Sequence, residues 1–323
     1  MFNNTKPNNY AWLITDGKIG DQVQCLAIAE ALKISYEERV VKPSAPSSWI
    51  MPYGPIPFMH QPYFESSPIH GDLPSMIIAS GRRTVAYVRH LKSKKPEIKT
   101  IFLKDPRTAY HYFDVIWSPW HDNLNQPNVI TTLTSPHILT EQTLAKADRS
   151  IFIDLPKPCV GIILGDLFMN APKQQHQKIL NDFIDQLTTL KQQIGSFIIT
   201  PSRRTPQTML QTMLNAIQDM PHWCWSGNSH NPYAAILAHA DALVVTGDSH
   251  NMVSESLVVG CPVMVHTTPF LKKKCIQFLA KIHQLGWISY FNGSLSNQRT
   301  TPINATYDIA KHIRQMLDLP LHA

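Results

Sequence analysis

Hydrophobic residues in this chain fall into short unbroken runs, and between the runs they recur at helical spacing. That is the pattern of buried parallel strands joined by crossover helices. Residues 10–14 read as a first strand, 15–22 as a loop and 23–32 as a helix. Further strands are expected at 76–79, 100–103, 115–117 and 129–132, with a helix at 84–91. Residues 40–71 depart from this alternation. They are crowded with proline and aromatic side chains, which break helices and central strands alike. A loop of that length is read as an ordered excursion over the first domain, a flap on its acceptor side.

The Leu155-Pro156-Lys157-Pro158 segment interrupts the pattern, and the domain boundary is placed there, with 1–156 as one domain and 157–323 as the second. In the second half, strands are expected at 159–164, 197–200, 223–225, 242–245 and 263–265. Helices are expected at 174–194, 206–219, 232–240, 252–259 and 273–285, and a last helix at 304–317 closes the chain. Both halves read as doubly wound α/β domains, in which ligands sit beyond the carboxyl ends of the strands.

Bulk properties narrow the class. With 323 residues and 43% hydrophobic content the chain is long enough for two packed cores, which excludes a disordered class. Lys and Arg total 29 against 23 for Asp and Glu, a formal charge of +6 spread without a long run. This mild excess favours anionic ligands or an anionic membrane surface, and the absence of interleaved aromatic and basic residues argues against nucleic acid. Five scattered cysteines, Cys25, Cys159, Cys224, Cys261 and Cys275, lack CxxC spacing and fit neither a disulfide frame nor a zinc site. Residues 1–9 are polar and no run reaches the ~20 apolar residues of a spanning helix, so a cytoplasmic protein is expected. Lys272-Lys273-Lys274 reads as a solvated helix face, though lysines near anionic lipid contribute about 1 kcal/mol each. Together with the aromatic segment 49–64, this allows peripheral contact at the inner membrane.

The chemistry concentrates in the loops after strands. Twice an apolar run is followed by Arg-Arg-Thr and a helix-like stretch: Ser80-Gly81-Arg82-Arg83-Thr84 and Ser202-Arg203-Arg204-Thr205. Helix N-termini present unpaired N–H groups, and guanidinium forks add bidentate donors, so each unit suits a phosphorylated ligand. The plain alternative is solvated surface charge. A third loop, Thr246-Gly247-Asp248-Ser249-His250-Asn251-Met252-Val253-Ser254-Glu255, leads to Gly260-Cys261-Pro262. Gly247 allows a tight turn, Ser249 and Asn251 can cap the helix or donate to a diphosphate, and Glu255 about one turn inside can accept from ribose hydroxyls. The alternatives are a plain cap for Ser249 and an exposed first-turn acid for Glu255.

The 246–265 segment resembles the nucleotide-sugar motif of GT-B glycosyltransferases of the lipid II N-acetylglucosaminyltransferase type. A narrower resemblance rests on Thr15-Asp16-Gly17-Lys18 with Gly20 and Gln24, Ser80 to Thr84, Leu103-Lys104-Asp105-Pro106-Arg107, Ser202 to Pro206, Asn231-Pro232-Tyr233 and Thr246 to Glu255. In these blocks the chain is similar to bacterial relatives of the plant mitochondrial-fission "elongate mitochondria" proteins. The resemblance implies a GT-B fold, two Rossmann-like domains facing a cleft, with the acceptor on the N-terminal side and the nucleotide diphosphate on the C-terminal side. It implies that Glu255 holds the ribose, that Gly247, Ser249, Asn251 and Met252 hold the diphosphate, and that Ser202, Arg203, Arg204 and Thr205 hold the distal phosphate or sugar. By the same resemblance the stretch 225–233, with Asn228, Asn231 and Tyr233, is expected to line the base, and Gly17, Lys18, Gly81, Arg82 and Arg83 to serve the acceptor.

One departure matters. The lipid II enzymes carry a Gly-Gly-x-Gly-Gly-His loop after the first strand, whereas this chain has Asp16-Gly17-Lys18-Ile19-Gly20-Asp21. The histidine is absent, which leaves Asp16 or Asp21 as candidate bases, with His121, Asp122 and His250 behind them. Asp16 can equally cap the first helix or bond its own loop. The expected activity is metal-independent sugar transfer from a nucleoside diphosphate sugar, as substrate and with no cofactor, to an envelope glycan or lipid-linked acceptor. Nucleotide-sugar epimerisation and non-catalytic binding on the same scaffold are the alternatives.

Overall fold

The computed structural model describes residues 10–228 and 231–320, which fold as two compact units. The polar segment 1–9 and, in the expected base-lining stretch, Ser229 and His230 lie outside the described residues.

The first unit holds β1 (Tyr10–Thr15), α1 (Ile19–Ala31), β2 (Ser35–Val40), a short α2 (Ser47–Ile50), β3 (Met76–Ser80), α3 (Thr84–Lys94), β4 (Lys99–Leu103), β5 (Val115–Pro119) and β6 (Val129–Thr132). Its strands form one parallel sheet in the order β2-β1-β3-β4-β5-β6. The runs at β1 and β3 are buried on both faces, which is why they read as continuous apolar segments. β2 escaped the sequence reading because Ser-Tyr-Glu-Glu-Arg-Val is a half-exposed edge strand, formed by its ladder with β1 and not by an apolar run. The excursion after β2 is anchored by Met51, Ile56 and Ile69, which enter the core beside Tyr87 and Val88 of α3.

The second unit contains α4 (Glu141–Ala145), β7 (Cys159–Leu164), α5 (Lys173–Leu190), β8 (Ser196–Pro201), α6 (Gln207–Ala216), β9 (His222–Cys224), α7 (Tyr233–His239), β10 (Ala242–Thr246), α8 (His250–Ser256), β11 (Val263–His266), α9 (Lys273–Gln284) and β12 (Ser289–Tyr290). All pairings are parallel, in the order β12-β11-β10-β7-β8-β9. One face packs on α5 and α6, the other on α7, α8 and α9.

The division differs from the expected break at 156/157. The second unit begins at Leu139, because Leu139, Leu144 and Phe152 already pack into its core beside Ala235 and Ile236. The final helix α10 (Thr306–Met316) belongs to the first unit. Its Ile309, Ala310 and Ile313 pack against Leu13, Cys25 and Ile28, and Arg314 donates to the Leu32 carbonyl at 2.7 Å. An amphipathic helix goes where its apolar stripe finds cover, and sequence order does not say where that is.

The order in which strands are added reverses once in each sheet, between β1 and β3 in the first unit and between β7 and β10 in the second. Ligand crevices of doubly wound sheets open at the carboxyl ends of such strands. Of the loops singled out from the sequence, those after β1, β3 and β10 leave such ends, and Ser202 to Thr205 follows β8, the neighbour of β7.

Candidate functional site

In the second unit the carboxyl ends of β7 and β10 are joined by a polar cluster centred on Asp248. Thr246 Oγ1 donates to Asp248 Oδ1 at 2.7 Å and accepts from the Gly165 amide at 2.7 Å. Asp248 Oδ2 accepts from the Asp166 amide at 3.1 Å and forms an ion pair with Arg204 Nη2 at 2.9 Å. The Asp248 side chain is 2% exposed, so burial pushes its carboxyl up; the Thr246 bond, the Arg204 charge and the Asp166 amide pull it back. Gly165 is demanded by close approach: a Cβ there would sit 2.1–2.5 Å from the Asp248 carboxylate.

The loop after β8 is built by its own hydroxyls. Thr205 Oγ1 bonds the carbonyls of Leu164 at 2.9 Å and Gly165 at 2.8 Å, and the Ser202 amide donates to it at 2.9 Å. Ser202 Oγ accepts from the Arg204 amide at 3.2 Å. Thr205 thus staples the loop to the end of β7, and the exposed groups of the loop are Arg203 and Arg204. Arg204 Nη2 also lies 3.9 Å from Met252 Sδ, which ties this loop to α8. A pocket of about 580 Å³ opens beside it, lined by Ser202, Arg203, Thr205, Leu210, Trp225 and Gly227 among others.

On α8, Ser249 is the N-cap, its hydroxyl accepting from the Met252 amide at 3.5 Å. Gly247 does not serve a left-handed turn. A Cβ there would meet Leu279 Cδ1 at 2.8 Å and the His266 carbonyl at 3.1 Å, so packing excludes a side chain. Asn251 occupies the first turn of α8, and His250 lies edge-on to Phe278 with centroids 4.2 Å apart. Glu255 is not an exposed first-turn acid: burial raises its carboxyl to about 7, with Tyr233 opposing. Tyr233 was expected to line the base. It instead lies beside Glu255, where burial and that carboxylate push its phenol well up. Of the other expected base-lining residues, Asn228 is exposed and Asn231 Nδ2 donates to Thr200 Oγ1 at 3.1 Å.

In the first unit, Asp16 follows β1 and lies over Gly81 after β3; a side chain at Gly81 would meet its carboxyl within 3.0–3.3 Å. Gly17 and Gly81 have φ of +86° and +107°. Asp16 Oδ2 pairs with Lys18 Nζ at 3.0 Å, its side chain is 4% exposed, and Oδ1 is buried without a hydrogen-bond partner. It does not cap α1, whose N-cap is Lys18. Asp21 is engaged differently: it accepts from Ser80 Oγ at 3.0 Å and pairs with Lys104. Lys104 therefore pairs far along the chain and not within its own turn, while Asp105 closes that turn by accepting from the Arg107 amide at 2.7 Å. Arg82 Nη2 donates to the Ser48 carbonyl at 3.2 Å, and Arg83 is the N-cap of α3. Lys42, unremarked in the sequence, brings its Cε within 3.2 Å of a Cβ built on Gly17. His121 and Asp122 sit together past the end of β5, 3.9 Å apart. A cavity of about 810 Å³ between Arg89, Tyr110 and Tyr112 is lined by none of the expected site residues.

Asp248, Thr246 and Gly165 were not assigned roles from the sequence. Thr246 and Asp248 stand in the quoted motif, but an acid after glycine reads as loop, and only the structure shows it buried and bonded across β7 and β10.

The mitochondrial fission ELM1 family matches residues 19–317. The chain belongs to that family. The mitochondrial fission protein ELM1 of Arabidopsis thaliana is 27% identical over 277 residues, covering 76% of this chain and 64% of the plant protein. The match thus spans less than two thirds of that relative. An uncharacterized protein of Rickettsia prowazekii is 23% identical across 95% of this chain and 98% of its own length. Among solved structures, the UDP-GlcNAc 2-epimerase of Methanocaldococcus jannaschii in complex with UDP-GlcNAc and UDP superposes with a TM-score of 0.53 at 10% identity, over 95% of this chain and 99% of that one. At that identity the likeness shows the fold alone, and the ELM1-family chain has a fold of GT-B type. Among the described residues, no helix is long and apolar enough to cross a membrane.

Proposed function

We propose that the chain binds a nucleoside diphosphate sugar in its second unit and transfers the sugar to an acceptor held by its first. The supporting observation is a meeting of parts at one sheet edge. The double-arginine loop after β8 touches α8 through Arg204 and Met252, and α8 carries the deep carboxyl of Glu255 three residues on. Guanidinium groups for a diphosphate beside a carboxylate for ribose hydroxyls are the complement of a nucleotide, and the adjoining pocket beside Trp225 offers the base an apolar wall. Arginines stabilise charge building on the leaving diphosphate. In the first unit Asp16, whose Oδ1 has no hydrogen-bond partner among the described residues, is assigned to take a proton from an acceptor hydroxyl. Lys18 and Arg83 add positive charge there for an anionic acceptor, lipid-linked or glycan. Trp49, Phe58 and Tyr63, exposed by 75%, 68% and 65%, supply an aromatic surface for peripheral contact with an anionic membrane.

A second reading, binding without turnover, is favoured by the engagement of Asp21 Oδ1 with Lys104 and Ser80, which gives one of the two candidate bases a structural partner set. Thermal-shift titration of the purified protein with nucleoside diphosphates and their sugars is the test. Selective stabilisation by one diphosphate supports the site, because a ligand of the folded state raises stability by mass action. Consumption of that nucleotide sugar then separates transfer from binding alone. No stabilisation by any of them removes the proposal.

A further inference from the structure

The geometry points to Asp248 as the residue that positions Arg204 for a nucleotide's diphosphate, an inference that rests on the nucleotide reading above. Arg204 projects from an exposed loop, and a long side chain there samples many rotamers unless something holds it. Asp248 supplies the hold. It is buried, its Oδ1 is taken by Thr246, and its Oδ2 is shared by the Asp166 amide and Arg204 Nη2. Besides Arg204, the acid is fixed by two elements at once: the loop after β7 through Asp166 and the end of β10 through Thr246. Its carboxylate fills the space that a side chain at Gly165 would need.

One end of the guanidinium is thereby consumed. The Asp248 contact is made through Nη2, and the guanidinium carries further N–H donors on Nη1 and Nε. A planar fork with one branch tied presents the other in a set direction, so less freedom is lost when a phosphate binds. Arg203, on the same loop, makes no such contact and borders the pocket beside Trp225. The two arginines thus divide the work. Arg204 is the donor held by Asp248, and Arg203 is the donor at the pocket.

Calorimetric binding of a nucleoside diphosphate and of its parent nucleoside tests this in the full chain and in Asp248→Asn, Arg204→Gln and the double variant. Asparagine keeps the size of Asp248 and removes the charge that orients Arg204. Asp248→Asn is expected to weaken the diphosphate by about tenfold or more, the scale of a charge-assisted hydrogen bond, and to leave the nucleoside within about twofold. Arg204→Gln should match that loss, and the double variant should lose little more, since both changes remove one device. Arg204 is 44% exposed, so its variant keeps the test alive if the buried change impairs folding. Equal loss for nucleoside and diphosphate in Asp248→Asn means a purely structural role and overturns the inference. So does unchanged diphosphate affinity, or a double variant showing the full sum of both losses. A parent protein that binds no nucleoside diphosphate overturns the nucleotide reading itself, and this inference with it.

Discussion

Lys104 reaches across the carboxyl edge of the first sheet to pair with Asp21, 83 residues earlier in the chain, while Ser80 donates to the same carboxylate oxygen. Asp21 Oδ1 is thus engaged twice at the centre of the β1-β3-β4 edge, while Oδ1 of Asp16, five residues before it, has no hydrogen-bond partner among the described residues. The two acids looked equivalent in the sequence. Asp21→Asn is expected to lower stability by about 1–3 kcal/mol in chemical denaturation, for the loss of a charge-assisted bond beside a lysine that is itself partly solvated. Asp16→Asn should spare stability and cut sugar transfer by roughly 100-fold or more, the scale of general-base catalysis. Full turnover in Asp16→Asn would move the base elsewhere, with His121 and Asp122 next to be tested.

The pH response of Glu255 has a definite sign. Burial raises its carboxyl to about 7 from 4.5, so the folded protein keeps a proton that the unfolded chain gives up. The resulting stability is fully present below about 4.5 and is lost as pH rises through about 7. Relative to Glu255→Gln, the melting temperature of the parent should fall over that window. Nucleotide affinity should change in the opposite direction, since the ionised carboxylate is the better acceptor for ribose hydroxyls. A melting difference and an affinity that both ignore pH would take Glu255 out of the site.

The excursion after β2 carries no Asp, Glu, Lys or Arg from residue 43 to 64, yet exposes Trp49, Tyr53, Phe58, Met59 and Tyr63. Its backbone is braced by Arg89, which donates to the carbonyls of Pro52 at 3.1 Å and Tyr53 at 3.0 Å. Co-sedimentation with vesicles containing anionic lipid is expected for the parent and should drop severalfold in Trp49→Ser/Phe58→Ser. Because both side chains are exposed, the variant should melt as the parent does. Retained sedimentation in that variant would assign the aromatics some other role.

The last helix offers a test of unit membership. Ile313 is fully buried on α10, in the core cluster that also contains Leu13 and Ile28. Ile313→Ala should cost about 2–5 kcal/mol. If the two units unfold in separate transitions, the cost should appear in the one that reports the first unit, followed at Trp12 or Trp117. A shift confined to the second unit's transition would contradict the packing.

Much of the fold was legible because a strand buried on both faces must be apolar throughout, and a crossover helix must keep one apolar stripe. Those constraints act locally, so β1, β3, β7, β8 and β10 and the helices after them announce themselves in the sequence. The polar edge strand β2 does not, because ladder bonds to β1 form it. The loops that carry the chemistry were visible through their arginines, glycines and acids. Their division of labour was not. Whether an aspartate pairs with lysine, holds an arginine or keeps a free oxygen depends on what distant strands bring beside it, as Asp21, Asp248 and Asp16 show. The placement of α10 and the boundary at Leu139 have the same origin: an apolar face states that it needs cover, and only the packed structure decides which core supplies it.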